Sequence, residues 1–294
     1  MLKAFLLSVI RSVFGLASAA APGIAGKAAF RLFCTPPKPT RVGPNSPERL
    51  RVNSTMFDTA RQWQLGSGKY PFIAYSFNDS AEKTIVLVHG FHSRALFMGA
   101  FVQPLVDQGF RVIAFDFPAH GRSPGRYFHV GIGVAALEAL YLETGPWHGV
   151  VAHSLGCVVT AALNAGTIAF HLQETDMGKL VFISSPNSVV KLFDSYVDTI
   201  GLKGKAVDVF VAKVKEVSDR DADVYVVEEQ LESAGSSALL FHAPDDKEIA
   251  FSESEAICAN NASVTLIPVP GKGHRRILAS NVVLEESILF LCER

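Results

Sequence analysis

The chain has 294 residues, of which 49% are hydrophobic and 19% are charged, and its formal net charge is −1. A chain of this length can bury a substantial core in one large or two modest domains. The hydrophobic content is too high, and the net charge too small, for a disordered chain. A net charge near zero also provides no overall field that would attract nucleic acid or another acidic polymer.

Charge is distributed unevenly along the chain. Residues 1–51 contain eight basic side chains and one acidic side chain, Glu48, so this segment has a net charge of +7. The remaining residues carry −8. This asymmetry divides the chain into a basic, apolar leader with a proline-rich linker over residues 1–51, and an acidic body over residues 52–294.

The first 33 residues are apolar and contain no acidic side chain. A signal peptide and a membrane span are both disfavoured by Arg11, which interrupts the apolar run and costs roughly 2.5–3.5 kcal/mol inside a bilayer. A helix over this segment has a polar side and an apolar side, and the apolar side consists of Phe5, Leu6, Val9, Val13 and Leu16. We therefore expect an interfacial helix with peripheral membrane contact through residues 1–33, or a helix packed on the domain.

The four cysteines are far apart and form no CxxC pair: Cys34, Cys157, Cys258 and Cys292. This spacing fits neither a disulfide framework nor a zinc site. Reduced thiols favour a cytoplasmic protein, and the leader helix adds the alternative of attachment to the inner face of the membrane. The sequence does not indicate an oligomeric state.

From residue 60 onward, short apolar runs alternate with longer helix-like stretches. The predicted strands cover residues 85–88, 111–117, 150–152, 180–184, 238–241 and 265–269, and the predicted helices cover 95–108, 131–143, 155–165 and 281–291. Continuous apolar strands interleaved with helices predict a doubly wound, mainly parallel α/β sheet that is covered on both faces. Two further runs, at residues 62–65 and 72–77, predict an antiparallel hairpin at the sheet edge.

One segment interrupts this alternation. About fifty residues separate the strand ending near residue 184 from the strand at residue 238, which is long for a crossover. Its apolar residues are spaced for two amphipathic helices, so we expect a small helical lid over about residues 187–237. The aromatic residues Phe193, Tyr196 and Phe210 in this lid suggest a hydrophobic acyl or alcohol group in the substrate.

The strand at residues 150–152 leads directly into a helix, with Ser154 at the turn. A nucleophile in such a tight turn needs small residues two positions before and two positions after it. Ala152 and Gly156 satisfy this requirement, although alanine stands where a first glycine is usual. The alternative role for Ser154 is that of an ordinary helix N-cap.

Two other strand ends carry groups that bear on this serine. Gly90 permits a turn in which the N–H of Phe91 can point at an oxyanion, and the N–H of Leu155 at a helix N-terminus can supply the second donor. Asp116 and His120 follow another strand. We interpret them as making hydrogen bonds that stabilise a loop.

The last two strand ends carry an acid and a histidine. A serine hydroxyl needs a base to take its proton, and the base needs a carboxylate to orient it. Candidate acids are Asp245 and Asp246, and the base is His274. The chain order serine, acid, histidine, each just past a strand, suits a site at one end of a parallel sheet.

From about residue 62 to the C-terminus, the sequence resembles the α/β-hydrolase-fold superfamily. The resemblance rests on five features in chain order, namely His89-Gly90, the loop 116–123, the turn 152–156, Asp246 and His274. The run Gly-His-Arg-Arg-Ile-Leu at residues 273–278 particularly resembles bacterial members that have a basic, apolar N-terminal leader.

The resemblance implies Ser154 as nucleophile, His274 as base and Asp246 as orienting acid. Asp246 is selected over Asp245 because the family places its acid four positions after the residue that here is His242. Asp194 is a weaker candidate, because some members of the family place their acid shortly after the preceding strand. It also implies an oxyanion hole from the N–H groups of Phe91 and Leu155, and no metal or organic cofactor.

The function expected from the sequence is that of a serine hydrolase, similar to carboxylesterases and lipases, which cleaves a carboxylic ester or related acyl compound through an acyl-enzyme. The expected partner is a small acyl substrate with an apolar group, and no nucleic acid. Two alternatives remain open. The same triad could serve a thioesterase or acyltransferase, or the fold could act as a receptor with slow or no turnover.

Overall fold

A computed structural model describes residues 2–38, 40–66, 70–167, 175–218, 221–259 and 261–293. The chain forms two compact units. The helical unit consists of Met1–Thr35 and Ser188–Tyr225, and the sheet unit consists of Pro36–Asn187 and Val226–Arg294. The leader and the predicted lid, which are far apart in sequence, thus belong to one unit.

The sheet unit is built on an eight-stranded sheet in the order β1-β2-β4-β3-β5-β6-β7-β8. The strands are β1 (Arg61–Leu65), β2 (Phe72–Phe77), β3 (Thr84–Val88), β4 (Arg111–Asp116), β5 (Gly149–His153), β6 (Lys179–Ile183), β7 (Ala238–His242) and β8 (Val264–Pro268). β2 pairs antiparallel with β1 and β4, and all other neighbours are parallel. The predicted mainly parallel sheet with an edge hairpin is confirmed. Residues 67–69, between the hairpin strands, lie outside the described residues.

Twelve α-helices occur among the described residues. They are α1 (Leu2–Ala20), α2 (Pro22–Phe33), α3 (Glu48–Thr59), α4 (Val102–Asp107), α5 (Val130–Thr144), α6 (Leu155–Asn164), α7 (Val189–Ile200), α8 (Lys205–Ser218), α9 (Val227–Ser233), α10 (Phe251–Ala259), α11 (Gly273–Arg276) and α12 (Asn281–Cys292). α1, α2, α7 and α8 belong to the helical unit, and the others to the sheet unit. The helical insertion expected over residues 187–237 therefore ends earlier than predicted, at Tyr225. The next helix, α9, belongs to the sheet unit, where it packs with α6 and α10.

The single helix predicted over residues 95–108 is wrong. The segment is a 3₁₀ helix, Ala95–Phe101, followed by α4. Pro104 accounts for the break, because proline lacks an N–H and is tolerated only in the first turn of an α-helix. A helix that begins at Val102 places Pro104 in that turn.

The sheet is buried on both faces. Every residue of β3, β5 and β7 is buried, and successive side chains point to opposite faces of the sheet. One face, which includes Leu87 and Val151, shares a core with Leu105 of α4 and Leu291 of α12. On the other face, α6 packs against β3, β5 and α5. Burial of each large apolar side chain stabilises the folded state by about 1.5–3 kcal/mol. The buried sheet therefore holds in place the strand ends from which the site is built.

The helical unit has its own aromatic core. α2 lies closest to α8 at Gly26, where an added Cβ would be 2.5 Å from the carbonyl oxygen of Ala206. Phe33 of α2 packs edge-on against Phe193 at 5.2 Å and Phe210 at 6.0 Å between ring centroids.

Two expectations from the sequence bear on this unit. Its aromatic rings were expected to indicate an apolar substrate group, but Phe193, Tyr196 and Phe210 all pack against Phe33 within the unit. That inference from the lid is therefore not supported. The helix expected over the leader is interrupted, because α1 ends at Ala20 and α2 begins at Pro22.

Candidate active site

Ser154 lies at the turn between β5 and α6, as the sequence predicts. Its backbone has φ 53° and ψ −125°, a conformation that side-chain-bearing residues rarely adopt. Gly156 allows the helix to start this close to the sheet, because an added Cβ would be 2.7 Å from the carbonyl oxygens of Val88 and His89. The turn thus combines strain at the serine with close backbone packing at the glycine.

The three predicted triad residues meet at the carboxyl ends of the strands. His274 Nε2 is 3.0 Å from Ser154 Oγ, and His274 Nδ1 is 2.8 Å from Asp246 Oδ2. A carboxylate only accepts hydrogen bonds, so the neutral imidazole carries its proton on Nδ1. The lone pair on Nε2 therefore faces the hydroxyl, as a general base requires.

The rival acids lie elsewhere. Asp245 Oδ1 accepts a hydrogen bond from the backbone N–H of Gly271 at 2.7 Å, so Asp245 holds the loop that precedes His274. Asp194 is exposed on α7, in the helical unit. Of the three candidates, Asp246 is the one that the structure places against the imidazole.

The Asp246 carboxylate is fully buried and surrounded by donors. Oδ1 accepts from the backbone N–H groups of Glu248 at 2.8 Å and Ile249 at 3.1 Å, and His242 Nε2 lies 3.4 Å from Oδ2. Burial by itself would raise the pKa of Asp246, but the hydrogen bonds from His242 and His274 outweigh it and lower that pKa. Asp246 therefore stays ionised beside His274.

His242 orients this carboxylate, a role that the sequence did not indicate. Its Nδ1 is 2.6 Å from Ser254 Oγ, and its Nε2 is 3.2 Å from the carbonyl oxygen of Ile249. Because Nε2 faces only acceptors, it carries the proton, and the Ser254 hydroxyl donates to Nδ1. The only sequence signal was its position at the end of a strand, four residues before Asp246.

His153, next to Ser154, has a structural role. It is buried, and its Nε2 donates to the carbonyl oxygen of His274 at 2.9 Å. Burial, together with the neighbouring imidazole of His274, lowers the pKa of His153 to about 3. A neutral ring at this position holds the backbone of His274 in place.

The loop after β3 lies against the nucleophile. An added Cβ on Gly90 would be 2.9 Å from Ser154 Cβ. His89 fixes this loop, because its Nδ1 donates to the Gly90 carbonyl at 2.7 Å and its Nε2 accepts from the N–H of Phe117 at 3.0 Å. Burial lowers the pKa of His89 to about 4, so the ring is neutral. Phe91 follows directly on this loop.

Asp116 and His120 are not part of the triad. The Asp116 carboxylate accepts hydrogen bonds from Tyr75 Oη at 2.9 Å and from the N–H groups of Ala95 at 2.8 Å and Arg122 at 2.7 Å. His120 Nδ1 is 3.0 Å from the carbonyl oxygen of Pro118. These bonds tie β2 and the start of the 3₁₀ helix to the loop after β4, in agreement with the predicted role of Asp116.

A cavity of about 180 Å³ adjoins the triad within the sheet unit. It is lined by Pro47, Arg49, Leu50, Phe91, Ser93, Phe97, His153, His274, Arg275 and Leu278. Its walls are mainly apolar, with two arginines among them. A larger cavity, of about 420 Å³, is lined by Arg41, Arg94, Arg122 and Asp116 among others, and contains no triad residue. Within the described ranges, no three His, Cys, Asp or Glu side chains are grouped so that they could hold a metal ion.

A model of the alpha/beta hydrolase family matches residues 85–285. The chain belongs to the alpha/beta hydrolase family. The matched range runs from β3 into α12 and contains Ser154, Asp246 and His274. No curated protein matches the chain.

Solved structures share this fold. The esterase Pf2001 of Pyrococcus furiosus aligns with a TM-score of 0.59 at 21% identity, over 87% of this chain and 95% of its own. A carboxylesterase of Nitrososphaera gargenis aligns with a TM-score of 0.56 at 15% identity, over 78% and 96%. A thioesterase domain from the curacin biosynthetic pathway aligns with a TM-score of 0.55 at 15% identity, over 79% and 99%.

Proposed function

We propose that this protein is a serine hydrolase that cleaves a carboxylic ester through an acyl-enzyme on Ser154. The observation that carries the proposal is the continuous hydrogen-bond chain from Asp246 through His274 to Ser154, at 2.8 and 3.0 Å. A serine without an aligned base is a weak nucleophile, and here a base and its orienting carboxylate are both in reach. The names of the similar esterases point the same way.

The reaction proceeds in two halves. Ser154 Oγ attacks the ester carbonyl as His274 Nε2 takes its proton, and Asp246 stabilises the imidazolium. The tetrahedral intermediate expels the alcohol, which receives the proton from His274, and leaves an acyl group on the serine. A water molecule then attacks this acyl group, with His274 again taking a proton, and the acid is released as the serine regains its hydrogen.

The backbone N–H groups of Phe91 and Leu155 are the proposed oxyanion hole. Support comes from the position of their loops, because Gly90 packs against Ser154 and Leu155 is the first residue of α6. The N-terminus of a helix also carries partial positive charge. Loss of one such donor typically reduces the rate on the order of 100–1000-fold.

The cavity supports a short apolar group in the substrate. Its volume of about 180 Å³ is below the roughly 300 Å³ at which pockets for drug-sized ligands begin. Leu50, Phe97 and Leu278 give it an apolar wall. This wall replaces the lid aromatics as the reason to expect an apolar substrate.

A ladder of p-nitrophenyl esters tests the proposal. We expect kcat/KM to be highest for acetate or butyrate and to fall at least about tenfold by octanoate, because the cavity is small. Ser154→Ala should reduce kcat by a factor on the order of 10⁴ or more. No turnover of any ester by the folded wild type would favour a receptor. Turnover that rises with chain length would leave the chemistry intact but contradict the assignment of this cavity.

A further inference from the structure

Exposed apolar side chains are concentrated in the helical unit. Of the sixteen large hydrophobic side chains that are exposed in the described part of the chain, eleven lie in this unit, which holds about a quarter of the residues. Scattered exposed hydrophobic residues are ordinary, whereas a contiguous group marks contact with a partner or a membrane. The exposed hydrophobic side chains of the helical unit therefore need a physical explanation.

α1 packs on its own unit by a mixed side, which carries Gly15 and Ser18 together with the half-buried Ile10 and Phe14. Ser18 is buried and its Oγ accepts a hydrogen bond from the N–H of Lys203 at 3.1 Å. Gly15 also faces inward, because an added Cβ there would be 3.8 Å from the carbonyl oxygen of Gly201. An amphipathic helix that simply covers a core turns its apolar side inward. α1 instead has a second apolar side, opposite to the side by which it packs.

The apolar side of α1 faces solvent. Phe5, Val9, Val13 and Leu16 are spaced by four, four and three residues, so they form one stripe along the helix. Their exposed fractions are 69%, 42%, 57% and 75%. We refer to these four residues as the outer stripe.

The charge of the surrounding surface identifies the partner. Residues 1–33 contain no acidic side chain, and the helical unit as a whole has ten basic and seven acidic residues, a net charge of +3. On α2, Ile24 is 73% exposed, and Lys27 and Arg31 are exposed on the same helix. Basic and apolar side chains on one surface suit the headgroup region of an anionic bilayer. A second positively charged copy of the unit would be repelled.

We propose that the helical unit docks on the surface of an anionic lipid bilayer. α1 lies along the plane of the membrane, with the outer stripe at the boundary between headgroups and acyl chains. Lys27 and Arg31 contact lipid phosphates. No helix among the described residues has the length and hydropathy to cross a bilayer. This proposal is independent of the chemistry proposed for Ser154.

Vesicle flotation of the full-length protein tests the docking surface. We expect binding to vesicles of three parts phosphatidylcholine and one part phosphatidylglycerol, and roughly tenfold weaker binding to phosphatidylcholine alone. The triple variant Phe5→Gln, Val13→Gln, Leu16→Gln should bind the mixed vesicles at least about tenfold more weakly, because glutamine keeps the helix but removes its apolar stripe. Circular dichroism checks that the variant is folded.

A matched control carries the same number of substitutions on the sheet unit, at Leu142→Gln, Val282→Gln and Leu289→Gln. These side chains are 56%, 48% and 60% exposed, and we expect vesicle binding to be unchanged. Equal binding by both triple variants would overturn the proposal, as would no binding of the wild type to either vesicle. Light scattering gives a third outcome. If the wild type is a dimer that binds no vesicles, and only the α1 triple variant is a monomer, the outer stripe contacts a second copy of the chain instead.

Discussion

The carboxylate of Asp246 illustrates how the surroundings of a residue decide its role. Asp245 and Asp246 are adjacent and chemically identical, yet one bonds the imidazole of His274 and the other bonds the backbone of Gly271. The hydrogen bond from His242 adds to the difference, because it keeps Asp246 ionised although it is buried. Ionised and fixed, Asp246 holds the His274 proton on Nδ1.

Neutralising each aspartate in turn tests this difference. Asp246→Asn should reduce kcat by a factor on the order of 10⁴, because an amide can hold the imidazole in the wrong tautomer. Asp245→Asn is the matched control, and should change kcat only a few-fold because the amide oxygen still accepts from Gly271. Steady-state kinetics on p-nitrophenyl butyrate measures both. Equal losses in the two variants would contradict the assignment.

The sequence predicted several residues of the candidate site, and it did so for a physical reason. Parallel strands end at the same edge of a sheet, so residues that follow different strands can be expected to meet there. Ser154 and His274 were predicted in this way, whereas the choice of Asp246 over Asp245 came from the family resemblance; the structure brings Ser154, Asp246 and His274 together. His242 and His153 act through hydrogen bonds to backbone and side chains from other segments. No spacing in the sequence indicates such partners.

The elements differ in how far local sequence determines them. The strands of the sheet were predictable because they are buried apolar runs bounded by turns. α3 (Glu48–Thr59) was missed, because its sequence is mostly polar and it follows a proline-rich linker. It is held by tertiary contacts: Phe57 is buried, and Asn53 Nδ2 donates to the carbonyl oxygen of Leu96 at 3.0 Å.

The turn between β5 and α6 leads to a prediction for stability. Gly156→Ala should lower the free energy of unfolding by about 1–3 kcal/mol, because the new methyl group meets two backbone carbonyls that cannot move freely. Gly43→Ala is the matched control, since an added Cβ there meets nothing within 4 Å. Denaturant unfolding measures both variants. A stability of Gly156→Ala equal to that of Gly43→Ala would show that the contact is not tight.

For the whole molecule, the sequence predicted the architecture of the sheet unit but not the association of the leader with the insertion. Close contacts at Gly15, Ser18 and Gly26 add to the packing of Phe33 on Phe193 and Phe210 in holding these segments together. Small residues give no hydrophobic period that the sequence could reveal. The active-site cavity escaped prediction for a related reason. Its walls come from separate segments, including Leu50, Phe97 and Leu278, which only the fold brings together.

Three buried histidines predict acid sensitivity of the whole molecule. Burial lowers the pKa of His89 to about 4 and of His120 and His153 to about 3, whereas in the unfolded chain they titrate near the ordinary value of about 6.5. Below that value the unfolded state binds more protons, so stability is lost as the pH falls. The expected loss is about 1.4 kcal/mol per pH unit for each histidine between pH about 6.5 and about 4.

Denaturant unfolding measured from pH about 7.5 to about 5 checks this slope. The variant His120→Gln removes one titrating imidazole and should reduce the slope by about a third. A free energy of unfolding that stays constant over this range would mean that these rings are charged, or reach solvent, in the folded protein.

The central claim is that Ser154 is an activated nucleophile, and covalent labelling with a fluorophosphonate tests it most directly. Intact mass spectrometry of the folded wild type should show one adduct, and peptide mapping should place it on Ser154. Ser154→Ala should not be labelled, and His274→Ala should be labelled at least about 100-fold more slowly, because the general base is gone. A folded wild type that takes no label, or a Ser154→Ala variant that is labelled as fast as the wild type, would contradict the claim.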